Sequence, residues 1–169
     1  LNNQIDTSGE ISLERGIAFN NDGSQIYIVD GNFCGVSCDV QAYSLGVPYT
    51  LVGEVPLNNF DLSNELTEGG ANGFAEGMSF NDDGTKMYIV ASVGAGATDG
   101  KVIQYALGTA YDVSTASHET TFTVSEDRTP TGVTFNNDGT KMFVVGTFAD
   151  LVNEYSLSTA YDLRSASEQ

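Results

Sequence analysis

One segment occurs three times along this chain. Gly16-Ile-Ala-Phe-Asn-Asn-Asp-Gly-Ser-Gln-Ile-Tyr-Ile-Val29 returns as Gly77-Met-Ser-Phe-Asn-Asp-Asp-Gly-Thr-Lys-Met-Tyr-Ile-Val90, and again as Gly132-Val-Thr-Phe-Asn-Asn-Asp-Gly-Thr-Lys-Met-Phe-Val-Val145. The anchoring residues Phe19, Phe80 and Phe135 are 61 and 55 residues apart. A second block follows each copy: Tyr43-Ser-Leu45 with Tyr49, Tyr105-Ala-Leu107 with Tyr111, and Tyr155-Ser-Leu157 with Tyr161. A supersecondary unit that recurs at such a period cannot bury its apolar face alone and stacks on its neighbours.

Each unit reads as four strands. The first is Gly-x-x-Phe, at 16–19, 77–80 and 132–135. The Asn/Asp-Asp-Gly that follows is a tight turn, because glycine tolerates the positive φ such hairpins need. The second strand is the β-branched and aromatic run at 25–29, 86–90 and 141–145. The third lies at 39–45, 101–107 and 151–157. The fourth lies near 57–62 and 119–124, where Phe60 matches Phe122 and Leu62 matches Val124. No helix is expected. The fold class is all-β: three tandem four-stranded antiparallel blades of a β-propeller or open blade array. They form one repeat domain over 1–169, with units at about 9–63, 64–125 and 126–169 after an N-terminal strand at 1–8.

The Phe-x-x-Asp-Gly-x-x-Met-Tyr rhythm, as in Phe80 to Tyr88, resembles the tandem repeats of YVTN-like and WD40-like bacterial propellers. The block Tyr155-Ser-Leu-Ser-Thr-Ala-Tyr-Asp-Leu163 resembles repeats of secreted and phage-associated propeller proteins. The resemblance covers nearly all of the chain. It implies an architecture and says almost nothing of an activity. It also implies that residues just before each first strand face a central opening. These are Arg15, Glu76 and Thr131, the candidate ligand-binding residues.

The phase of the repeat bears on assembly. Asn3-Gln-Ile-Asp-Thr-Ser8 looks like a fourth strand, and 165–169 stand where the third unit's fourth strand begins. The expectation is a last blade without its outer strand, completed in cis or in trans by the N-terminal strand. Gln4, Ile5 and Thr7 are the candidate assembly residues on one side, and Val152, Tyr155 and Leu157 on the other. Three outcomes are open: two chains swapping strands into a six-bladed ring, a piece of a longer propeller, or a head-to-tail filament.

Charge and chemistry narrow the function. The net charge is −17, which repels phosphate backbones and anionic membranes. No apolar run approaches the length of a membrane helix. Cys34 and Cys38 suit a short disulfide-closed loop, worth roughly 2 kcal/mol at most, and with it an oxidising location; free thiols or half a metal site are the alternatives. With His118 the only histidine, a zinc site is poor, and no metal ligand set is assigned. No cofactor is called for. Ca²⁺ is the one ion left open, by Asn21, Asp22, Asp82, Asp83, Asn137 and Asp138. A calcium loop wants six or more oxygens, and each turn offers two or three side chains.

No catalytic triad or phosphate loop is present, and His118 is expected at the surface between the third and fourth strands. The expected function is therefore non-catalytic: an extracellular or cell-surface structural or adhesive module that assembles with itself, as a dimeric ring or a filament, by strand complementation. The alternative is a propeller that binds a glycan, peptide or surface protein through its variable loops at 30–39, 64–76 and 91–100.

Overall fold

A computed structural model describes residues 3–8, 11–31, 34, 38–66, 73–92 and 99–168. Within them, twelve strands form three separate four-stranded antiparallel sheets, each a meander in sequence order. Blade 1 comprises β1 (Glu14–Phe19), β2 (Gln25–Asp30), β3 (Asp39–Ser44) and β4 (Val55–Asp61). Blade 2 comprises β5 (Phe74–Phe80), β6 (Lys86–Ser92), β7 (Gly100–Leu107) and β8 (Ala116–Val124). Blade 3 comprises β9 (Pro130–Phe135), β10 (Lys141–Gly146), β11 (Val152–Leu157) and β12 (Ala166–Glu168).

The second strands of blades 1 and 2 are apolar on both faces because both faces are covered. Successive side chains point to opposite sides. Tyr27 and Val29 of blade 1 meet Met87 and Ile89 of blade 2 in one core, whereas Tyr88 of blade 2 meets Met142 and Val144 of blade 3 in another. Ile26 and Ile28 face the opposite way, into a third cluster in front of blade 1.

Aromatic residues lock each junction. The Tyr27 ring lies 4.7 Å from Phe80 and its hydroxyl donates to the Tyr111 carbonyl at 2.7 Å. Tyr88 repeats this with Phe135 at 4.4 Å and the Tyr161 carbonyl at 2.7 Å. Near the outer strands, Phe60 packs on Tyr105 at 5.1 Å and Phe122 on Tyr155 at 4.8 Å. Tyr105 and Tyr155 thus pack between blades, whereas their counterpart Tyr43 lies in front of blade 1.

The Asp-Gly turns use their glycines twice. Gly23, Gly84 and Gly139 sit at φ of 69–70°, where side chains are strained. A Cβ on Gly84 would also stand 2.3 Å from the Tyr111 ring lying across it. Asp22, Asp83 and Asp138 each accept a backbone N–H two residues on, from Ser24, Thr85 and Thr140. Their carboxylates are therefore engaged in closing their own turns.

Four expectations need correction. First, the third blade does have an outer strand: β12 pairs Glu168, Ser167 and Ala166 with Tyr155, Ser156 and Leu157. Second, residues 3–8 form no strand and do not pair with β11 of their own chain. Ile5 instead packs on the Ile11, Ile26, Ile28, Tyr43 and Leu45 cluster, because an apolar blade face left open attracts the nearest apolar segment. Third, short helices occur where none was expected: a single turn α1 at Ser63–Leu66, and 3₁₀ turns at Val113–Thr115 and Leu163–Ser165. Asp112 and Asp162 cap the two 3₁₀ turns by accepting from the N–H of Ser114 and Arg164, a local signal that the strand period hides. Fourth, His118 lies within β8 rather than in a connection, its ring edge-on to Tyr105.

Candidate functional site

The first strands β1, β5 and β9 run side by side along the inner edge of the array. Their approach is close at two glycines. A Cβ on Gly16 would lie 2.6 Å from the Gly77 Cα, and one on Gly77 would lie 2.6 Å from the Thr131 carbonyl. This closeness brings the preceding residues together at one rim. Arg15 Nη1 reaches Glu76 Oε2 at 3.1 Å, and Glu76 Oε1 accepts from the Ser92 hydroxyl at 2.8 Å. Thr131 does not join them; its hydroxyl donates to the Val145 carbonyl at 3.4 Å. Of the three rim residues anticipated from the repeat, the fold thus pairs two with each other.

A second carboxylate at this end, Asp127, is occupied. Asp127 is fully buried, which pushes its carboxyl up, but the N–H groups of Thr129 (2.7 Å) and Ala149 (3.1 Å) outweigh burial and hold it below the usual range. It ties the loop before β9 to the loop after β10. Asp39 behaves oppositely. Burial lifts its carboxyl above the usual range, and Asp30 and Asp61 add to this, against amide donors from Asn59 and Gln41. Its Oδ1 is buried with no hydrogen-bond partner. No local pattern in the chain singles out Asp39, because its environment is assembled from β2, β3 and β4. Among the described residues, no group of three or more His, Cys, Asp or Glu side chains is arranged to hold a metal ion. Cys34 and Cys38 are joined as a disulfide. Much of the variable loops, at 32–33, 35–37, 67–72 and 93–98, lies outside the described residues.

The two ends of the array are more distinctive. Behind blade 3, Gly132, Val133, Thr134, Phe143, Val145 and Val152 line an apolar groove of about 440 Å³. Val145 and Val152 are 44% and 66% exposed, although their counterparts Val29, Val90, Val40 and Val102 are buried. Beside this groove, a second one of about 320 Å³ is lined by Glu126, Val152, Asn153, Glu154, Tyr155 and Glu168. It follows the part of β11 that β12 leaves unpaired. Asn153, on its wall, has a buried Nδ2 without a partner. In front of blade 1, Ile17, Val55 and Leu57 are exposed, and the Phe19 and Tyr49 rings stand 5.4 Å apart in the places that Phe80–Tyr111 and Phe135–Tyr161 hold at the internal junctions.

These positions sort the anticipated assembly residues. Val152 is open. Tyr155 and Leu157 are buried in the core between blades 2 and 3, with their outer edge taken by β12. Tyr155 donates to Glu126 at 2.6 Å. Gln4 is exposed, Ile5 covers blade 1, and the Thr7 hydroxyl donates to Glu14.

No family model and no curated protein sequence matches the chain. Solved structures do. A protein from Lactobacillus plantarum aligns over 92% of this chain and 40% of its own length, with 15% identity and a TM-score of 0.64. The periplasmic gluconolactonase PpgL of Pseudomonas aeruginosa aligns over 92% of this chain and 37% of its own, with 15% identity and a TM-score of 0.61. A candidate 6-phosphogluconolactonase from Bacteroides fragilis gives 10% identity and a TM-score of 0.58 over the same shares. At these identities the likeness is one of fold: the three sheets match part of a β-propeller. The chain spans about 40% of the length of these structures.

Proposed function

We propose that this chain is a non-catalytic, self-associating propeller module of the extracellular or cell-surface space. The observation that carries the reading is the pair of open blade faces. The apolar groove behind blade 3 and the aromatic pair in front of blade 1 are the two halves of a junction made twice inside the chain. Stacked blades leave unpaired edges and apolar surface at both ends, and such surface marks an interaction site. The disulfide fits an oxidising compartment. The net charge of −17 keeps the assembled material hydrated and free of nucleic acid.

Light scattering on the purified chain tests the reading, with electron microscopy of the same sample. Rings or fibres are the expected result, and a monomer at all concentrations up to the millimolar range would refute it. A second reading rests on the Arg15–Glu76 pair at the inner rim: a polar ligand, such as a glycan or peptide, would exchange for this ion pair. Glycan-array binding that is lost in Arg15→Ala and Glu76→Ala would favour it. The activity named for the Pseudomonas protein belongs to that protein. Here the rim carboxylates of Glu76 and Asp127 are held by an ion pair and by backbone amides, so neither stands free as a general base.

A further inference from the structure

Resting on the self-association proposed above, we infer the partner and its register: a second copy of this chain docks its blade 1 behind blade 3 of the first. Ile5 of the second copy then lies opposite Val152 of the first.

The register comes from the internal junctions. In blade 1, Val40 pairs with Phe60, and in blade 2, Val102 pairs with Phe122. Val40, Val102 and Val152 each stand three residues before the recurrent tyrosine of their strand. Phe60 and Phe122 cross to the next blade and pack on Tyr105 and Tyr155. In front of blade 1, Ile5 packs on the cluster that contains Tyr43. It lies on the face where an outer-strand phenylalanine of a preceding blade would pack. Seating blade 3 of another copy there sets Ile5 against Val152 and Gln4 against Asn153. The second groove is the space for this segment, running on from β12 along β11. The Gln4 amide oxygen would then face the unpartnered Asn153 Nδ2.

The aromatic lock follows in the same register. Phe143 takes the place of Tyr27 and Tyr88, and Phe19 with Tyr49 of the second copy takes the place of Phe80 with Tyr111. At the first internal junction, the Asn21 amide donates to the Asp82 carbonyl. Blade 2 has Asp82 at that position and cannot donate, but blade 3 has Asn137, which can reach the Asn21 carbonyl of the second copy. One contact is missing. Phe143 has no hydroxyl for the Tyr49 carbonyl, so this junction is weaker than the internal two and exchanges more readily. The contact is heterologous, and it gives a closed ring or a filament according to the angle between copies.

Cysteine cross-linking tests the register. Directly opposed antiparallel residues stand about 4.5–5.5 Å apart at Cα, within disulfide reach. Ile5→Cys and Val152→Cys chains, mixed and mildly oxidised, should give a disulfide-linked pair on a non-reducing gel. Gln4→Cys mixed with Val152→Cys should give several-fold less, since residues 4 and 5 face opposite sides. Phe143→Tyr, which restores the hydroxyl, should shift assembly to lower concentration. Assembly seen by light scattering without the Ile5–Val152 link would overturn this register and leave self-association standing. A chain that neither cross-links nor assembles would remove both.

Discussion

Replacing Tyr88 by Phe removes a single hydroxyl from the junction between blades 2 and 3. The Tyr88 side chain is fully buried, its ring lies 4.4 Å from Phe135, and its Oη is 2.7 Å from the Tyr161 carbonyl. Phenylalanine keeps the ring contact and changes little in volume. What is lost is the one donor that reaches across to that carbonyl. Tyr161 is held at φ 59° with its ring over Gly139, so the turn cannot rotate the carbonyl to find another donor without losing that packing. Leaving this partly buried acceptor unsatisfied costs about 1–3 kcal/mol, against about 0.5–1.5 for the net value of an ordinary hydrogen bond. The desolvation cost dominates, and a loss of about 2 kcal/mol is expected. For a chain of this length, each kcal/mol lowers the melting temperature by about 2–4 °C, which gives a fall of about 4–8 °C. Urea unfolding at an unchanged m-value is the assay, since a change in m would signal an altered unfolded or native ensemble. A loss below about 0.5 kcal/mol would show that the carbonyl finds a partner elsewhere, and the junction would then rest on ring packing alone.

Other perturbations probe the remaining parts. Gly139→Ala forces a side chain into the left-handed region and into the Tyr161 ring, and should destabilise by at least about 1–2 kcal/mol in the same urea assay. Asp22, Asp83 and Asp138 are held below the usual carboxylate range, first by the side-chain hydroxyls of Ser24, Thr85 and Thr140 and then by their N–H groups. Their contribution is therefore complete above the unfolded-state value near pH 4 and is lost as pH falls through the depressed folded values. The Asp→Asn triple variant should show a flatter decline of stability between about pH 4 and pH 2 than the parent. Reducing the Cys34–Cys38 bridge should cost no more than about 2 kcal/mol, because the loop it closes is short; calorimetry with and without reductant reads this. Assembly should strengthen from 10 to 150 mM NaCl as salt screens the repulsion between copies of net charge −17, and weakening over that range would mean that ion pairs rather than apolar faces hold the copies together.

By itself, the sequence determined the blade. Phe19, Phe80 and Phe135, the Asp-Gly turns and the paired tyrosines recur because each blade meets the same neighbour in the same way, and repetition turns a tertiary contact into a local pattern. The disulfide was legible for a similar reason: four residues of separation leave the two thiols within reach. What broke the period could only be decided in three dimensions. Ile5 looks like part of a strand, but its place depends on an apolar face that residues 11, 26, 28, 43 and 45 build together. Arg15 and Glu76 are 61 residues apart, and their meeting depends on two glycines that let neighbouring strands close up. Asp39 owes its raised carboxyl to burial among groups from separate strands. Hydrogen bonding along a strand is local and leaves a period in the chain, whereas solvent exclusion is a property of surfaces and is set only when the blades stack.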